Sequence, residues 1–398
     1  MAVSLRENEG IPSSILLLLA VMAGVSVANI YYCQPLLDMI RNDLGINEFQ
    51  ANLIPMLTQI GYAVGLLVVI PMGDIYNKRT IVVSNIAVLI ASLVAFACSD
   101  SLHILIPVAF VIGITSVIPQ IFMPIASIYS KPEHKERNVG IVLSGLLTGI
   151  LASRVVSGFI GEWLGWREMY LIASGLMFLS GMLVLRVFPE TEPTFHGRFV
   201  DLLKTMRGLL LQYRDLRVNA TRAGFAFGSF LAMWACLAFK LKDAPFHAGS
   251  DAVGLLGLCG IVGVLTASNV GKYVRLYGAL KLNRVGVSLM CLAWIVMWLF
   301  GDSYAGLVFG VIVIDIGMQC IQLSNQSAVL KLCPSAAGRM NTIFMTTYFV
   351  GGSLGTFLAG TAWQLMAWDG VVTAGLLLAC ASFVVSEIFT RKMRKGKL

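Results

Sequence analysis

The sequence predicts an all-α integral membrane protein, with twelve transmembrane helices in two pseudo-symmetric six-helix bundles. Three observations carry that prediction. The 398-residue chain is 57% hydrophobic and only 13% charged, whereas a soluble domain has roughly a quarter of its residues charged. Apolar runs of about 20 residues, long enough to cross a hydrocarbon core as helix, recur from end to end. The two halves of the chain also repeat one another at a fixed offset.

Span 1, residues 14–38, follows a short polar start and continues through NIYYCQPLLDMI with no small-residue cleavage site. It reads as a retained helix and not as a secretion signal. Spans 2 to 6 follow at 50–72, 80–98, 103–128, 138–161 and 167–188, and residues 1–188 make the first bundle. The longest polar interruption, 189–217, is the linker. Its second part places Phe199, Leu202, Leu203, Met206, Leu209 and Leu210 on one helical face and Lys and Arg on the other, the pattern of a helix lying along a membrane surface. Spans 7 to 12 follow at 218–240, 250–274, 282–300, 304–330, 340–363 and 370–390, so that 218–398 holds the second bundle and a basic tail.

The net charge of +8 does not point to nucleic acid, because of where it lies. With the N-terminus in the cytoplasm, 23 of the 29 Lys and Arg fall in cytoplasmic segments, which by the positive-inside rule places both termini there. The expected location is a bacterial inner (plasma) membrane, with the lipid bilayer as the chain's principal partner and a monomer as its working unit. The eight cysteines are scattered singly with no CxxC pair, and the four histidines fall near span ends or in loops. Neither pattern suggests a metal site, and no cofactor is expected.

The repeat is read at an offset of 202 residues: Arg137 matches Arg339, Ser144 Thr346, Gly149 Gly351, Gly158 Gly360, Trp166 Trp368 and, in spans 4 and 10, Gln120 Gln322. Two six-helix units in the same orientation imply an axis along the membrane normal, a small-molecule site between the units, and alternating access by rocking one against the other.

Charges inside spans mark where that site lies. Arg154 sits in LLTGILASRVVSGFIG, about seven residues from the outer end of span 5, and a buried charge costs at least a few kcal/mol. Asp315 in VIVIDIGMQCIQLSNQS is the acid well inside a span, about 16 Å deep at 1.5 Å per residue. Gln319, Gln322 and Gln326 follow it on one stripe, which must face protein or a cavity and not lipid. Arg154 and Asp315 are expected to meet across the central cavity, directly or through water. Desolvation and a neighbouring guanidinium act in opposite directions on a carboxylate's proton, so a cavity that changes shape could exchange a proton for substrate. Further candidates for substrate contact are Asn29, Tyr31, Tyr32 and Gln34 in span 1, Gln59 and Tyr62 in span 2, Gln120 in span 4, and Thr346, Thr347 and Tyr348 in span 11. Arg222, five residues into span 7, reads as a cytoplasmic anchor that snorkels to the headgroups.

The loop after span 2, PMGDIYNKRTIV from Pro71 to Val82, resembles the G-x-L-A-D-R-x-G-R-R signature of the major facilitator superfamily, with Asp74, Lys78 and Arg79 at its charged positions. Span 5 carries SRVVSG, followed by GWR at Gly165 to Arg167, where proton-driven drug exporters carry G-P-x-x-G-G; Arg154 occupies the proline position. With NIYYCQPLL in span 1, SNQS in span 10 and RMNTIFMTTYFVGGSLG in span 11, the chain resembles the twelve-spanner drug:proton antiporter-like branch, in particular bacterial arabinose- or sugar-efflux-like permeases. The resemblance implies that Asp74 faces the start of span 11 and, with Lys78 and Arg79, closes the cytoplasmic side as a gate. Within the loop, Ile70, Ile75 and Asn77 replace the first glycine, the first arginine and the second glycine, and two larger departures matter more. The branch's span 4 arginine is absent, Ala109 and Phe110 occupying that region, and the second loop copy, GKYVRLYGALK, has Arg275 where an aspartate is common.

These features predict a secondary active transporter and not an enzyme: no phosphate-binding loop is present, and no HExxH or GxSxG constellation occurs on facing helices. Proton-coupled efflux of sugars or drug-like compounds is the expected activity. The alternatives are uptake by a facilitator or proton symporter and, from another class, a non-transporting membrane sensor.

Overall fold

The computed structural model describes residues 7–188, 195 and 197–394, with side chains described to residue 388. Parts of the linker (189–194 and 196) and the last residues of the basic tail lie outside the described residues. The described chain is helical throughout its spans: Ser13–Leu44, Glu48–Ile75, Lys78–Ala97, Leu102–Ile128, Pro132–Trp163, Trp166–Val187, Arg214–Lys242, Ser250–Tyr277, Ala279–Leu299 and Tyr304–Leu332, then one long helical stretch, Pro334–Ile388. That stretch is two spans. Met366 and Ala367 leave helical φ/ψ, and a Cβ added at Gly370 would lie 2.1 Å from the Ala362 carbonyl oxygen. Residues eight apart in a straight helix would be about 12 Å apart, so the chain has turned back there. Twelve spans result, as expected from the sequence.

Three spans are not continuous helices. Span 1 breaks over residues 29–32, between Ser13–Ala28 and Cys33–Leu44. Span 4 breaks over 116–118, between Leu102–Thr115 and Pro119–Ile128. Span 8 breaks at 258–259, between Ser250–Gly257 and Gly260–Tyr277. Proline restarts the helix at Pro119, where its fixed φ suits a first helical position and its missing N–H costs nothing. Irregular backbone at membrane depth is tolerated where protein or a cavity surrounds it, so these breaks already point inward.

The repeat is visible in the packing. Gly149 of span 5 lies so close to span 1 that a Cβ there would come within 2.3 Å of the Gly24 Cα, and its match Gly351 of span 11 would come within 2.2 Å of the Gly224 carbonyl oxygen of span 7. Small residues let backbones approach where no hydrophobic force drives helices together in lipid. Gly158 and Gly360 pack across the halves, Gly158 on Ser250 and Gly254 of span 8 and Gly360 on Asn52 of span 2. Matching residues thus do matching work in two pseudo-symmetric bundles.

Span 7 is the most enclosed element, buried almost continuously from Ala223 to Leu241. The linker helix Phe199–Gln212 buries Leu202, Met206 and Leu209 against spans of both bundles, while Val200 and Leu211 stay exposed. Past its end, the Tyr213 hydroxyl meets Cys333 in the loop between spans 10 and 11. The Ser335 hydroxyl, 3.4 Å from the sulfur, and then Tyr213 hold the Cys333 thiol below the usual thiol range.

Candidate functional site

The broken stretch of span 1 presents Tyr31, and three residues further on Gln34, to Arg154 of span 5. Arg154 is 2% exposed, so it does not snorkel. Its Nε donates to Gln34 Oε1 at 2.8 Å. Its guanidinium carbon lies 4.0 Å from the centroid of the Trp234 ring and 5.1 Å from that of Tyr31, so two aromatic faces from opposite bundles hold the charge. A desolvated cation–π contact of this kind is worth about 2 kcal/mol. The side chain also lies against Gly257, beside the break in span 8, where a Cβ would meet Arg154 Cβ at 2.9 Å.

Asp315 of span 10 is buried, and its Oδ2 is an interior atom with no hydrogen-bond partner among the described residues. It rests on Gly263, also in span 8, where a Cβ would come within 3.3 Å of Oδ1. Of the two expected forms, direct contact or contact through water, the direct one is not present: among the described residues no ion pair joins Arg154 to Asp315. The two charges nevertheless act on one another electrostatically. They flank span 8 at Gly257 and Gly263, six residues apart, which corresponds to about 9 Å along a helix.

An aromatic layer crosses the middle of the molecule beside them. Tyr62 of span 2 meets Phe349 of span 11 with ring centroids 4.2 Å apart. Tyr348 stacks on Phe227 of span 7 at 3.8 Å and donates its hydroxyl to Gln322 at 3.0 Å. Gln120 reaches the Tyr62 hydroxyl at 3.4 Å. The sequence reading missed Phe227, Phe230 and Trp234, although their spacing of three and four residues marks one face of span 7.

Other candidates are placed differently. Asn29 Nδ2 is spent on the Val25 and Ser26 carbonyls of its own helix, and Thr347 bonds to the Ile343 carbonyl. Gln326 pairs with Asn341 at 2.7 Å. Tyr32 is buried and Gln319 is half-buried. Gln59 accepts from Thr356 of span 11 at 3.2 Å and so joins the bundles, as do Ser353 to the Met56 carbonyl (3.2 Å) and Ser250 to the Gly158 carbonyl (2.8 Å). The Ser250 N–H also donates to Glu162 at 3.1 Å. These cross-bundle bonds lie in the half of the molecule remote from the termini. At the opposite end, the charge of Asp74 acts on the buried Lys78. The Asp74 carbonyl accepts from Phe195 N–H of the linker at 2.9 Å, and Arg79 donates to the Leu185 carbonyl at the end of span 6.

Arg222 corrects the sequence reading. It does not snorkel but is 3% exposed. Its Nη2 donates to Asn219 (2.5 Å) and Asn325 (2.6 Å), and its Nη1 to Ser386 (3.3 Å). Asn325 donates in turn to Asn283 at 2.8 Å. This polar network ties spans 7, 9, 10 and 12 together inside the second bundle.

Two repeated helical bundles that meet over broken helices and buried charges define a membrane-embedded carrier of solutes. The Major Facilitator Superfamily model matches residues 16–356. The chain is 31% identical to the transporter YgaY of Escherichia coli O157:H7 over 380 residues, covering 96% of each chain. It is 30% identical to the probable transporter SCO4007 of Streptomyces coelicolor, covering 89% of this chain and 82% of that one. A mutant form of the nucleoside transporter NupG has the same fold, with a TM-score of 0.78 at 13% identity over 95% of this chain and 99% of that one. The chain belongs to the Major Facilitator Superfamily: it is a multi-pass membrane transporter of a small-molecule substrate, not an enzyme.

Proposed function

We propose that the protein is a proton-coupled exporter, with Asp315 as the proton-carrying group and Arg154 as the charge that displaces its proton. The observation that carries this reading is the buried Asp315 carboxylate, which has an unpartnered Oδ2 and stands across span 8 from a guanidinium held by aromatic faces. An ionised carboxylate is costly in such a place unless a positive charge approaches. A rocking motion that alters the Arg154–Asp315 separation therefore changes proton affinity, and substrate in the same cavity couples to it. The substrates that suit the layer of Tyr62, Tyr348, Phe227 and Trp234 with Gln120 and Gln322 are sugars or amphiphilic drug-like compounds, which offer flat apolar faces and hydroxyls or amides together.

The excess of Lys and Arg on the side of the termini supports placing both termini in the cytoplasm of a bacterial inner membrane. The cross-bundle bonds at Ser250, Ser353 and Thr356 then seal the outer side, and Asp74, Lys78 and Arg79 belong to the gate that closes the inner side in the alternate state. The bundles at 1–188 and 218–398 rock as units over the linker 189–217, and one chain suffices for a complete pathway.

Energised inside-out vesicles test the reading. Lumenal pH is followed with a quenched dye while pentoses, hexoses, cationic dyes and antibiotics are added to wild-type, Asp315→Asn and Arg154→Ala protein. Proton release evoked by one compound class, and abolished in Asp315→Asn, is the expected result. Substrate movement with unchanged pH dependence in Asp315→Asn would remove the carboxylate from the coupling mechanism. Substrate movement in wild-type vesicles with no proton flux would replace antiport by facilitated diffusion.

A further inference from the structure

The second bundle carries a groove on its outer surface, away from the central site, between span 8, span 9 and span 10. It has a volume of about 690 Å³ and is walled by Thr266, Tyr273 and Tyr277 of span 8, Lys281 and Val285 of span 9, and Ile316 of span 10. Tyr273 and Tyr277 are 45% and 56% exposed, far more than aromatic side chains inside a bundle. From Val262 to Tyr277 the groove follows about 22 Å of helix at 1.5 Å per residue. It therefore begins at the membrane surface on the side of the termini and runs through the depth of one leaflet, whose hydrocarbon is about 15 Å thick.

The segment that forms spans 8 and 9 and the loop between them is basic. Between Asp251 and Asp302 the chain contains no acid, yet it carries Lys272, Arg275, Lys281 and Arg284. Arg284 is taken by Glu387 at 2.7 Å, which leaves the other three for something else. Lys281 Nζ stands 5.1 Å over the Tyr277 ring at the groove mouth, and Tyr273 stacks with Tyr277 at 6.4 Å. Arg275, exposed near the same end of span 8, adds a further positive charge. Basic clusters between transmembrane helices at the membrane surface attract anionic headgroups, while aromatic side chains with a polar tip favour the same depth.

We propose that this groove is a binding site for one anionic phospholipid from the leaflet on the side of the termini. Lys281 pairs with the phosphate, with Lys272 and Arg275 adding to the local field, and an acyl chain lies along Thr266, Val285 and Ile316. The apolar walls accept the chain, the basic rim selects the headgroup, and Tyr273 and Tyr277 pack against the glycerol region. The inner wall of the groove is the stretch of span 8 whose other face supports Asp315 at Gly263, so an occupied groove stiffens the helix that the two central charges flank.

Native mass spectrometry of the full-length protein in detergent tests this. The protein is offered phosphatidylglycerol or phosphatidylcholine of the same acyl composition, as wild type, Lys281→Ala, Lys281→Arg and Val285→Trp. The expected result is one retained phosphatidylglycerol, its occupancy about fivefold lower in Lys281→Ala, restored in Lys281→Arg and lowered in Val285→Trp, with little phosphatidylcholine retained. Equal retention of the two lipids by wild type, or equal phosphatidylglycerol retention by wild type and Lys281→Ala, overturns the proposal. So does a lipid-free dimer that Val285→Trp dissociates, since a second copy would then fill the groove. None of these outcomes depends on whether Asp315 carries protons.

Discussion

Arg154 and Arg222 are both arginines buried to within a few per cent in a membrane protein, and they are held in opposite ways. Arg222 lies inside one bundle, and its terminal nitrogens are matched to Asn219, Asn325 and Ser386. Every partner is neutral and short-armed, and Asn325 is itself tied to Asn283. Arg154 lies between bundles, with one neutral hydrogen bond to Gln34 and the faces of Trp234 and Tyr31 around its charge. A directional network fixes a side chain in place. An aromatic face tolerates sliding, because cation–π attraction falls off gently with position. The first arrangement suits a brace, the second a charge that must keep its stabilisation while two bundles move.

Removing the two arginines therefore has unequal consequences. Arg222→Ala strands the Asn325, Asn219 and Ser386 groups in the bundle interior, and each buried polar group left unsatisfied costs about 1–3 kcal/mol. The expected outcome is a large fall in the thermal unfolding midpoint of the purified protein. Arg154→Ala gives up a cation–π contact of about 2 kcal/mol and one hydrogen bond, so its midpoint falls by less while transport is lost. Equal falls in the two variants would break the comparison.

The sequence announces Arg154 and hides Arg222 for a physical reason. In LLTGILASRVVSGFIG the charge interrupts an apolar run, and the repeat partner Gly158 packs across the bundles within a turn of it. The apolar edge of span 7 at 218 puts Arg222 near the start of the span, but the helix begins at Arg214, which puts Arg222 about 12 Å from its start at 1.5 Å per residue. Asn219, Asn283, Asn325 and Ser386 look like unrelated polar residues in four spans, and only the packing of those spans makes them one network. The twelve spans and the repeat were legible because hydropathy and glycine spacing are local signals. The pairing of Arg154 with Gln34 and Trp234, in place of a direct bond to Asp315, depends on how spans 1 and 8 break, which no local signal specified. Pro35, just beyond the break in span 1, was the available hint.

The aromatic hold on Arg154 can be isolated by a double-mutant cycle. Trp234→Leu and Arg154→Ala, made singly and together, are expected to couple by about 2 kcal/mol in unfolding free energy. Trp234→Leu and Arg222→Ala have no partner in common, and distant sites of that kind combine additively to within about half a kcal/mol. A Trp234–Arg154 coupling no larger than the Trp234–Arg222 value would mean that the ring merely fills space beside the guanidinium.

The smallest effect concerns the amides. Gln34 and Asn325 each accept a hydrogen bond from a buried arginine, at 2.8 Å and 2.6 Å. Asn325, however, also donates to Asn283 and to the Ile321 carbonyl. Gln34→Ala removes a single bond, worth about 1.5–3 kcal/mol when one partner is charged, and leaves Arg154 on its aromatic faces. Asn325→Ala unties three groups at once, so its unfolding midpoint should fall two to three times as far, in line with three lost bonds against one. The opposite order would show that Gln34 governs the position of Arg154 and that the rings follow. In that case a shift of the NIYYCQ segment of span 1, with its helix break, would move the guanidinium between states, and the charge would not slide on Trp234.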